Sequence, residues 1–336
     1  MTRIAIIGDG AMATVCAGLL CRAGRAVVLW SAFPEHAAEM ARTRRNEKFL
    51  PGVPLPEDLE ITADGPRALA GAELAISAVP AQFCRPVWQR LREHCPRGLK
   101  ICSVTKGIEN GTLHRPTQIL ADVLTGSATG DWPMVALSGP CIAHEVARRL
   151  PTTVVSASAD EALAREIQQL FTAPHFRVYT NTDLVGVELA GATKNVVAIA
   201  AGILDGMKIG DNAKAALLTR GLVEITRLGL ALGGRRETFA GLAGLGDLVT
   251  TCVSPHGRNR SFGQAVGEGR SVEQALSATP GVVEGVATTA SVIELSRRHQ
   301  VDMPITRGVH AVLFEHRAPA QAIAELMSRP PKREHE

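Results

Sequence analysis

The sequence lacks the features that mark secreted, metal-binding and nucleic-acid-binding proteins. It has seven cysteines, an odd number, and no C-x-x-C pair, which argues against a disulfide framework and a zinc site. We therefore expect reduced thiols, no metal and a cytoplasmic location. The first apolar run, IAII, is too short for a signal-peptide core or a membrane span. Basic and acidic residues nearly balance, 36 against 33, so no nucleic-acid partner is expected.

Aromatic residues are scarce too, at 4% of the 336 residues, although 46% of the chain is hydrophobic. The core must therefore consist mainly of Ala, Val, Leu and Ile. A chain of this length can form two domains.

In the first half of the chain, short and nearly continuous apolar runs alternate with helical stretches. Such runs are typical of parallel strands that are covered on both faces. The pattern predicts strands at 3–7, 26–30, 59–62, 74–79, 99–104, 134–138, 152–156 and 176–179, with helices at 11–22, 86–95 and 161–171. This alternation predicts an α/β fold with a Rossmann-like, doubly wound parallel sheet.

From about residue 183 the strand pattern stops, and Ala-, Leu- and Gly-rich helical stretches follow at 185–204, 212–232, 286–298 and 304–314. We predict an NAD(P)-binding domain over 1–182, an all-helical substrate and catalytic domain over 183–330, and a frayed polar tail over 331–336. The apolar composition of the helical part also favours a homodimer.

The turn after the first predicted strand has a dinucleotide-binding pattern. Gly8, Gly10 and Ala13 form G-x-G-x-x-A between a strand and a helix. The first glycine permits a tight turn, the second lets the backbone approach a pyrophosphate, and the alanine keeps the helix close to the strand. The helix N-terminus adds free N–H groups and the positive end of its dipole. A purely structural glycine turn is the alternative.

The end of the second predicted strand bears on the choice between NAD and NADP. An acidic residue there binds the ribose 2′-hydroxyl and repels a 2′-phosphate. This chain has Ser31, followed by Ala32 and Phe33, and no adjacent arginine. His36 is the nearest candidate for a phosphate contact, and a merely solvated histidine is the alternative. We predict NADP or NAD as cofactor, with a mild preference for NADP.

Oxidation of an alcohol needs a group that takes the hydroxyl proton as the hydride leaves. Two lysines lie in suitable places. Lys106 follows the strand predicted at 99–104, where open α/β sheets bind ligands. Lys194 lies in a small-residue helical stretch, where an unpaired charge would be costly. The alternatives are a solvated loop lysine for Lys106 and a snorkelling lysine for Lys194.

Two further pairs of residues suit a charged substrate. Asp247 and Thr251 are four apart, which predicts one face of a helix, and a carboxylate near Lys194 would orient its ammonium. Arg258 can fork onto phosphate oxygens, and Asn259 adds a donor. A phosphorylated small molecule is therefore the predicted substrate, and a structural arginine is the alternative.

These segments, in this order, resemble the bacterial NAD(P)-dependent sn-glycerol-3-phosphate dehydrogenases. The resemblance extends from residue 3 to about residue 285, and its segments include GDGAMA (8–13), NEKFLPG (46–52), SVTKGIE (103–109), LSGPCIAHEVA (137–147), GVELAGATKNVVAIAAG (186–202), TFAGLAGLGDLVTTC (238–252) and GRNR (257–260). It implies interconversion of sn-glycerol 3-phosphate and dihydroxyacetone phosphate, which supplies glycerophospholipid synthesis.

The resemblance also implies residue roles. Lys194 would accept the proton of the C2 hydroxyl, and Lys106 would touch both substrate and cofactor. The implied substrate contacts are Lys106, Gly139, Cys141, Lys194, Asp247, Gly257, Arg258 and Asn259. The implied or predicted cofactor contacts are Gly8, Gly10, Ala11, Met12, His36, Lys106, Ala143, Arg258, Val282 and Glu284.

The chain departs from the family pattern at four positions, two in the glycine turn and two among the implied substrate contacts. The family usually has an aromatic residue where Met12 stands, a small residue at Asp9, and serine at Cys141 and Gly257. The last two changes each remove a hydroxyl, at a cost on the order of 1 kcal/mol. Asp9 is electrostatically awkward beside a pyrophosphate unless its side chain points away.

Two other functions remain open at this point. One is a related two-domain dehydrogenase for a β-hydroxyacid or ketopantoate, against which GRNR, suited to a phosphate, argues. The other is a dinucleotide-binding redox sensor without turnover, against which the retention of Lys194 together with Asp247 argues.

Overall fold

A single mixed sheet forms the N-terminal part of the computed structural model, which describes residues 3–125, 132–331 and 333–334. Its strands are β1 Arg3–Ile7, β2 Ala26–Trp30, β3 Glu60–Thr62, β4 Ala72–Ser77, β5 Lys100–Ser103, β6 Met134–Ser138, β7 Thr152–Ala157 and β8 Phe176–Asn181. Their order is β3-β2-β1-β4-β5-β6-β7-β8. The order reverses between β1 and β4, where doubly wound sheets bind dinucleotides. The predicted fold class is confirmed.

The helices around the sheet are α1 Ala11–Arg22, α2 Pro34–Thr43, α3 Gly65–Leu69, α4 Ala81–Leu91, α5 Pro116–Thr125, α6 Ala143–Ala147 and α7 Glu161–Phe171. The helix predicted at 86–95 is wrong at both ends. It begins after Pro80 and ends at Leu91, and Pro86 lies inside it. A proline favours the first turn of a helix, and Pro86 is tolerated here five residues further on.

One pairing departs from the predicted parallel sheet, because β6 and β7 run antiparallel. Residues 139–151 connect them and contain only the five-residue helix α6. A helix of five residues spans about 7.5 Å, whereas a strand of five residues spans about 17 Å. Helix α6 is therefore too short to run the length of the sheet, as the helix of a parallel crossover usually does.

After Asn181 the described chain contains helices and no strand. They are α8 Leu184–Gly206, α9 Asp211–Ala231, α10 Arg236–Ala240, α11 Asp247–Val253, α12 Arg258–Gly267, α13 Val272–Ala278, α14 Glu284–Arg298, α15 Pro304–Phe314 and α16 Pro319–Met327, with a π turn at Leu242–Gly246. The four helices predicted here are confirmed to within two residues. The division into domains at 182/183 stays a prediction.

The central helix of this part, α8, packs against α12 through glycine. An added Cβ at any of four glycines would lie only 2.0–2.3 Å from a backbone carbonyl oxygen of the facing helix; they are Gly202 and Gly206 on α8 and Gly263 and Gly267 on α12. The two helix backbones can approach this closely only without side chains. The approach places the first turn of α12 beside the middle of α8.

Helix α8 is also the one described helix that is long and apolar enough to cross a membrane. Within its most apolar window, 89% of the residues are buried inside the protein. A core helix that is apolar on all sides has the same composition, because it is covered on all sides by protein. The burial therefore identifies α8 as a core helix.

Candidate active site

The turn between β1 and α1 is shaped to receive a dinucleotide. Gly8 has φ +122, and a Cβ there would lie 2.7 Å from the carbonyl oxygen of Ala78, just past β4. Gly10 is the N-cap of α1, and a Cβ there would meet nothing within 4 Å. No side chain caps α1, so its first N–H groups are free to bind an anion. These features fit the pyrophosphate of NAD or NADP.

Lys194 lies in the middle of α8 and is 5% exposed. Its Nζ is 2.9 Å from Oδ1 of Asp247 and donates a hydrogen bond of 2.9 Å to Oγ1 of Thr251. Asp247 and Thr251 share one face of α11, as the spacing predicted. A buried ammonium with a carboxylate and a hydroxyl as partners has a fixed position, which a proton-transfer group requires.

Lys106 follows β5 and approaches the same carboxylate from the sheet. Its Nζ lies 2.6 Å from Oδ2 of Asp247 and donates to the carbonyl oxygen of Gly139 at 3.0 Å. It also lies 3.7 Å from Sγ of Cys141, where the family usually has serine. One carboxylate therefore joins an ammonium from the sheet to an ammonium from the helical part.

The two lysines differ in how strongly they hold their protons. Burial lowers the pKa of Lys106, but the carboxylate of Asp247 outweighs burial, and the resulting pKa is raised above its usual range. Burial lowers the pKa of Lys194 further than Asp247 restores it, and the charge of Lys106 lowers it again. Lys194 is therefore the more readily deprotonated of the two and the better proton acceptor.

A pair of amides connects this cluster to α12 and α14. Nδ2 of Asn195 donates to the carbonyl oxygen of Lys106 at 3.2 Å, and Nδ2 of Asn259 donates to Oδ1 of Asn195 at 2.9 Å. Oδ1 of Asn259 accepts from the N–H of Gly285 at 2.9 Å. Asn195 is not among the site residues predicted from the sequence. The signal was present, because a buried amide next to a buried lysine needs partners.

Arg258 begins α12, directly after Gly257. Its Nη1 donates to the carbonyl oxygen of Val282 at 2.9 Å, in the segment before α14. Gly257 is the N-cap of α12 and, as a glycine, offers no side-chain oxygen to it. A Cβ at Gly257 would lie 3.0 Å from the carbonyl oxygen of Thr251, so the family's usual serine would fit tightly here.

The remaining predicted cofactor residues lie around the glycine turn. Ala11 and Met12 form the first turn of α1, and Ala143 begins α6, which packs against α1. The ring of His36 on α2 packs edge-on against Phe49, with 5.7 Å between the ring centroids. Nε2 of His36 is buried without a hydrogen-bond partner among the described residues. Its predicted contact with a cofactor phosphate stays a prediction.

The described residues form neither a cluster of metal ligands nor a disulfide. In residues 3–125, 132–331 and 333–334, no group of three or more His, Cys, Asp and Glu side chains is placed to hold a metal ion. All seven cysteines are unpaired.

Glu284, at the start of α14, places a carboxylate between the sheet and the helical part. Its Oε1 accepts a hydrogen bond from the N–H of Ala81 at 2.9 Å. Its Oε2 is buried and has no hydrogen-bond partner in the described chain. A Cβ at Gly107 would lie 2.8 Å from this Oε2, so the carboxylate lies beside the Lys106 loop. Burial raises the pKa of Glu284 from its ordinary value of 4.5 to about 7, against the lowering effects of the Ala81 N–H and Arg258.

We expect the Glu284→Gln variant, measured without cofactor, to be more stable than the native protein at pH 8 by about 2–3 kcal/mol. Between pH 4.5 and 7 folded Glu284 keeps a proton that the unfolded chain has lost, so the free energy of unfolding falls as pH rises through this range. Glutamine keeps the acceptor for Ala81 without a titrating proton. Urea unfolding at pH 5 and pH 8 measures the effect, which should be smaller than about 1 kcal/mol at pH 5. An equal difference at both pH values would contradict it.

Comparison with known proteins gives one consistent result. The profile of the NAD-dependent glycerol-3-phosphate dehydrogenase N-terminus matches residues 3–164, and that of the C-terminus matches residues 183–324. The chain is 48% identical over 327 residues to a glycerol-3-phosphate dehydrogenase (NAD(P)+) of Pelotomaculum thermopropionicum, covering 97% of this chain and 93% of the relative. A protein with the same name from Prosthecochloris aestuarii is 48% identical over 332 residues, covering 98% of this chain and 99% of the relative.

A solved structure agrees with these relatives. The crystal structure of glycerol-3-phosphate dehydrogenase from Coxiella burnetii superposes with a TM-score of 0.93 at 40% sequence identity. The superposition covers 98% of this chain and 99% of that one.

Proposed function

The chain belongs to the NAD-dependent glycerol-3-phosphate dehydrogenase family, and we propose on that basis that it interconverts sn-glycerol 3-phosphate and dihydroxyacetone phosphate with NAD(P) as cofactor. The observation that carries this proposal is the buried pairing of Lys194 and Lys106 through Asp247. It provides both a proton acceptor and a fixed positive charge. When bound, the nicotinamide supplies or accepts the hydride at C2 of the substrate.

Lys194 is the group that transfers the proton of the C2 hydroxyl. In alcohol oxidation its neutral amine takes the C2 hydroxyl proton, and in ketone reduction its ammonium returns that proton to the new alkoxide. The lowered pKa of Lys194 favours the neutral form that the first direction needs. Asp247 holds the amine in place through Oδ1, and Thr251 fixes the second hydrogen-bond direction.

The substrate is held by side chains that keep their positive charge throughout the reaction. The ammonium of Lys106 stays protonated, because the Asp247 carboxylate favours its charged form. It can therefore attract the polarised oxygen or the phosphate of the substrate throughout the reaction. Arg258 and Asn259 stand at the first turn of α12, where a guanidinium fork and helix N–H groups suit phosphate oxygens.

Absorbance at the NADH and NADPH band, followed separately with each cofactor, tests the reaction. Dihydroxyacetone phosphate should cause oxidation of reduced cofactor, and unphosphorylated dihydroxyacetone, ketopantoate and a β-ketoacid should not at equal concentration. Turnover with an unphosphorylated acid instead would point to the related two-domain dehydrogenases. Cofactor binding without turnover on any of these would point to the sensor.

Replacement of Arg258 by alanine should lower kcat/KM for dihydroxyacetone phosphate by about 100-fold, because charge-assisted hydrogen bonds contribute about 1.5–3 kcal/mol each. Most of the loss should appear in KM, since a bound phosphate remote from C2 is held equally in the ground state and the transition state. Steady-state kinetics measure it. Arg258→Lys should recover part of the loss, because it restores the charge without the fork. An unchanged KM in the alanine variant would remove Arg258 from the phosphate site.

The setting of this activity is also a proposal. The product supplies glycerophospholipid synthesis, and the enzyme acts in the cytoplasm, as a homodimer, without nucleic-acid or membrane partners. The nearly balanced charge supports the absence of a nucleic-acid partner, and the burial of α8 supports the absence of a membrane span. Light scattering of the purified protein would test the dimer.

A further inference from the structure

Asp9, the residue that the family pattern leaves unexplained, is hydrogen-bonded to the end of β2. Its Oδ2 accepts a hydrogen bond of 2.5 Å from Oγ of Ser31, the first residue after β2. The carbonyl oxygen of Asp9 accepts from Nδ2 of Asn46 at 2.7 Å, so both ends of the residue are held. Among the described residues, no basic side chain forms an ion pair with the Asp9 carboxylate at 4.0 Å or less. The carboxylate at the end of β2 therefore has a hydroxyl partner, Ser31, but no ion-pair partner.

The register of the sheet explains the contact. β1 and β2 are parallel, and Ile7 pairs with Trp30. The N–H of Gly8 also donates to the carbonyl oxygen of Trp30 at 3.0 Å. Residues that follow the two strands therefore emerge side by side, which brings Asp9 of the glycine turn against Ser31.

The end of β2 is the place where a Rossmann domain distinguishes the two cofactors. An acidic side chain at that strand end binds the ribose 2′-hydroxyl and repels the 2′-phosphate of NADP. Here the strand end itself contributes the neutral Ser31, and the neighbouring turn contributes the carboxylate. Oδ1 of Asp9 is left to accept a ribose hydroxyl, because Ser31 occupies Oδ2.

We propose that Asp9, positioned by Ser31, makes this chain prefer NAD over NADP. The proposal rests on the proposed function for its cofactor, and it runs against the mild preference for NADP predicted from the missing acid after β2. It assigns to a residue of the glycine turn the discrimination between NAD and NADP that usually depends on a residue at the end of β2.

The cations near this place do not oppose the charge of Asp9 directly. His36 has its Nε2 buried and its ring packed edge-on against Phe49. The ammonium of Lys48 lies over two rings, 5.5 Å from the centroid of Phe33 and 5.0 Å from that of Phe49. Lys48 is the rival determinant, because a lysine at this edge could attract a 2′-phosphate.

Direct binding of each reduced cofactor to the protein without substrate tests the proposal. Calorimetric or fluorescence titration should give a Kd for NADH at least about tenfold lower than that for NADPH, the effect of one like charge facing the 2′-phosphate. Asp9→Asn keeps the shape and the hydrogen bond from Ser31 while removing the charge. It should bring the two Kd values to within about threefold of each other, chiefly by tightening NADPH.

Two further variants keep the result interpretable. Asp9→Ser introduces a small residue like those the family has, and it should shift the preference in the same direction if Asp9→Asn folds poorly. Glu39→Gln removes one exposed charge further along α2 and should leave the ratio of the two Kd values unchanged. Thermal melts establish that each variant is folded.

The possible outcomes distinguish the role of Asp9 in cofactor preference from the proposed reaction. Equal Kd values in the native protein, or a ratio that Asp9→Asn and Asp9→Ser leave unchanged, overturn the role of Asp9 while the proposed reaction stands. Tighter binding of NADPH that Lys48→Met abolishes overturns it in favour of Lys48. Binding of neither cofactor overturns both claims, and NADH-selective binding without turnover overturns the reaction alone.

Discussion

Replacing Lys194 by alanine is expected to lower kcat about 10³- to 10⁴-fold, the upper part of the range for a general acid or base. The amine of Lys194 is held by Asp247 and Thr251 at 2.9 Å each, and its lowered pKa supports the proton exchange at C2 that we propose for it. Steady-state kinetics with dihydroxyacetone phosphate measure the loss. The fold should survive, because the pair between Asp247 and Lys106 remains.

Two controls distinguish a proton carrier from a packing residue. Lys194→Met keeps the apolar stem in place and should lose as much activity as the alanine variant. A small primary amine added to Lys194→Ala should restore part of the rate, since it can occupy the space of the side chain. The Kd for cofactor should change less than about threefold, because the role proposed for Lys194 is at C2 of the substrate and not at the dinucleotide. Near-normal turnover in either variant would show that another group carries the proton.

The pH dependence adds an independent check on this role. In the direction of alcohol oxidation Lys194 must be neutral, so the rate should rise with pH through a pKa below the ordinary lysine value of 10.5. This ionisation should disappear from the residual rate of Lys194→Met.

Replacing Asp247 by asparagine is expected to have the second largest effect, on stability as well as on activity. The carboxylate lies between two buried ammonium groups, at 2.6 Å from Lys106 and 2.9 Å from Lys194. Its removal leaves both without a counter-charge, and breaking a buried ion pair costs about 3–5 kcal/mol. Chemical unfolding at pH 7 measures the loss. Activity should fall too, because Lys194 loses the partner that orients it.

The pH dependence of this loss has a definite sign. Without Asp247, burial lowers the pKa of both lysines below that of the unfolded chain, so the unfolded state binds more protons. The free energy of unfolding of Asp247→Asn should therefore rise from pH 7 towards pH 9, relative to the native protein.

A double variant provides the matched control for Asp247. Adding Lys106→Met to Asp247→Asn removes one of the two unpaired charges and should restore part of the stability. If the double variant is less stable than Asp247→Asn by the full effect of Lys106→Met alone, the charges are not coupled and the explanation is wrong.

Much of the fold could be predicted from local patterns. Short apolar runs at the strand positions and Ala-rich stretches after residue 183 indicated the right elements, because the period of burial is encoded residue by residue. The antiparallel pairing of β7 could not be predicted this way. It depends on the length of α6, which is too short to cross the sheet.

The cluster of Lys194, Lys106 and Asp247 could be predicted from the sequence only in part. Lys194 stood out because an amine in an apolar helix needs a partner, and the four-residue spacing of Asp247 and Thr251 put them on one helix face. That Lys106 shares the same carboxylate could not be predicted from spacing, since 141 residues separate it from Asp247.

In the glycine turn, the dinucleotide pattern could be predicted from the sequence, but the placement of the Asp9 side chain could not. Gly8, Gly10 and the helix after them were enough to indicate a dinucleotide, because a strand, a tight turn and a helix N-terminus are local features. The direction of the Asp9 side chain depended on the tertiary structure, since its partner Ser31 belongs to the neighbouring strand. Hydrogen bonds between parallel strands fix which residues emerge side by side, and no local pattern within either segment records that register.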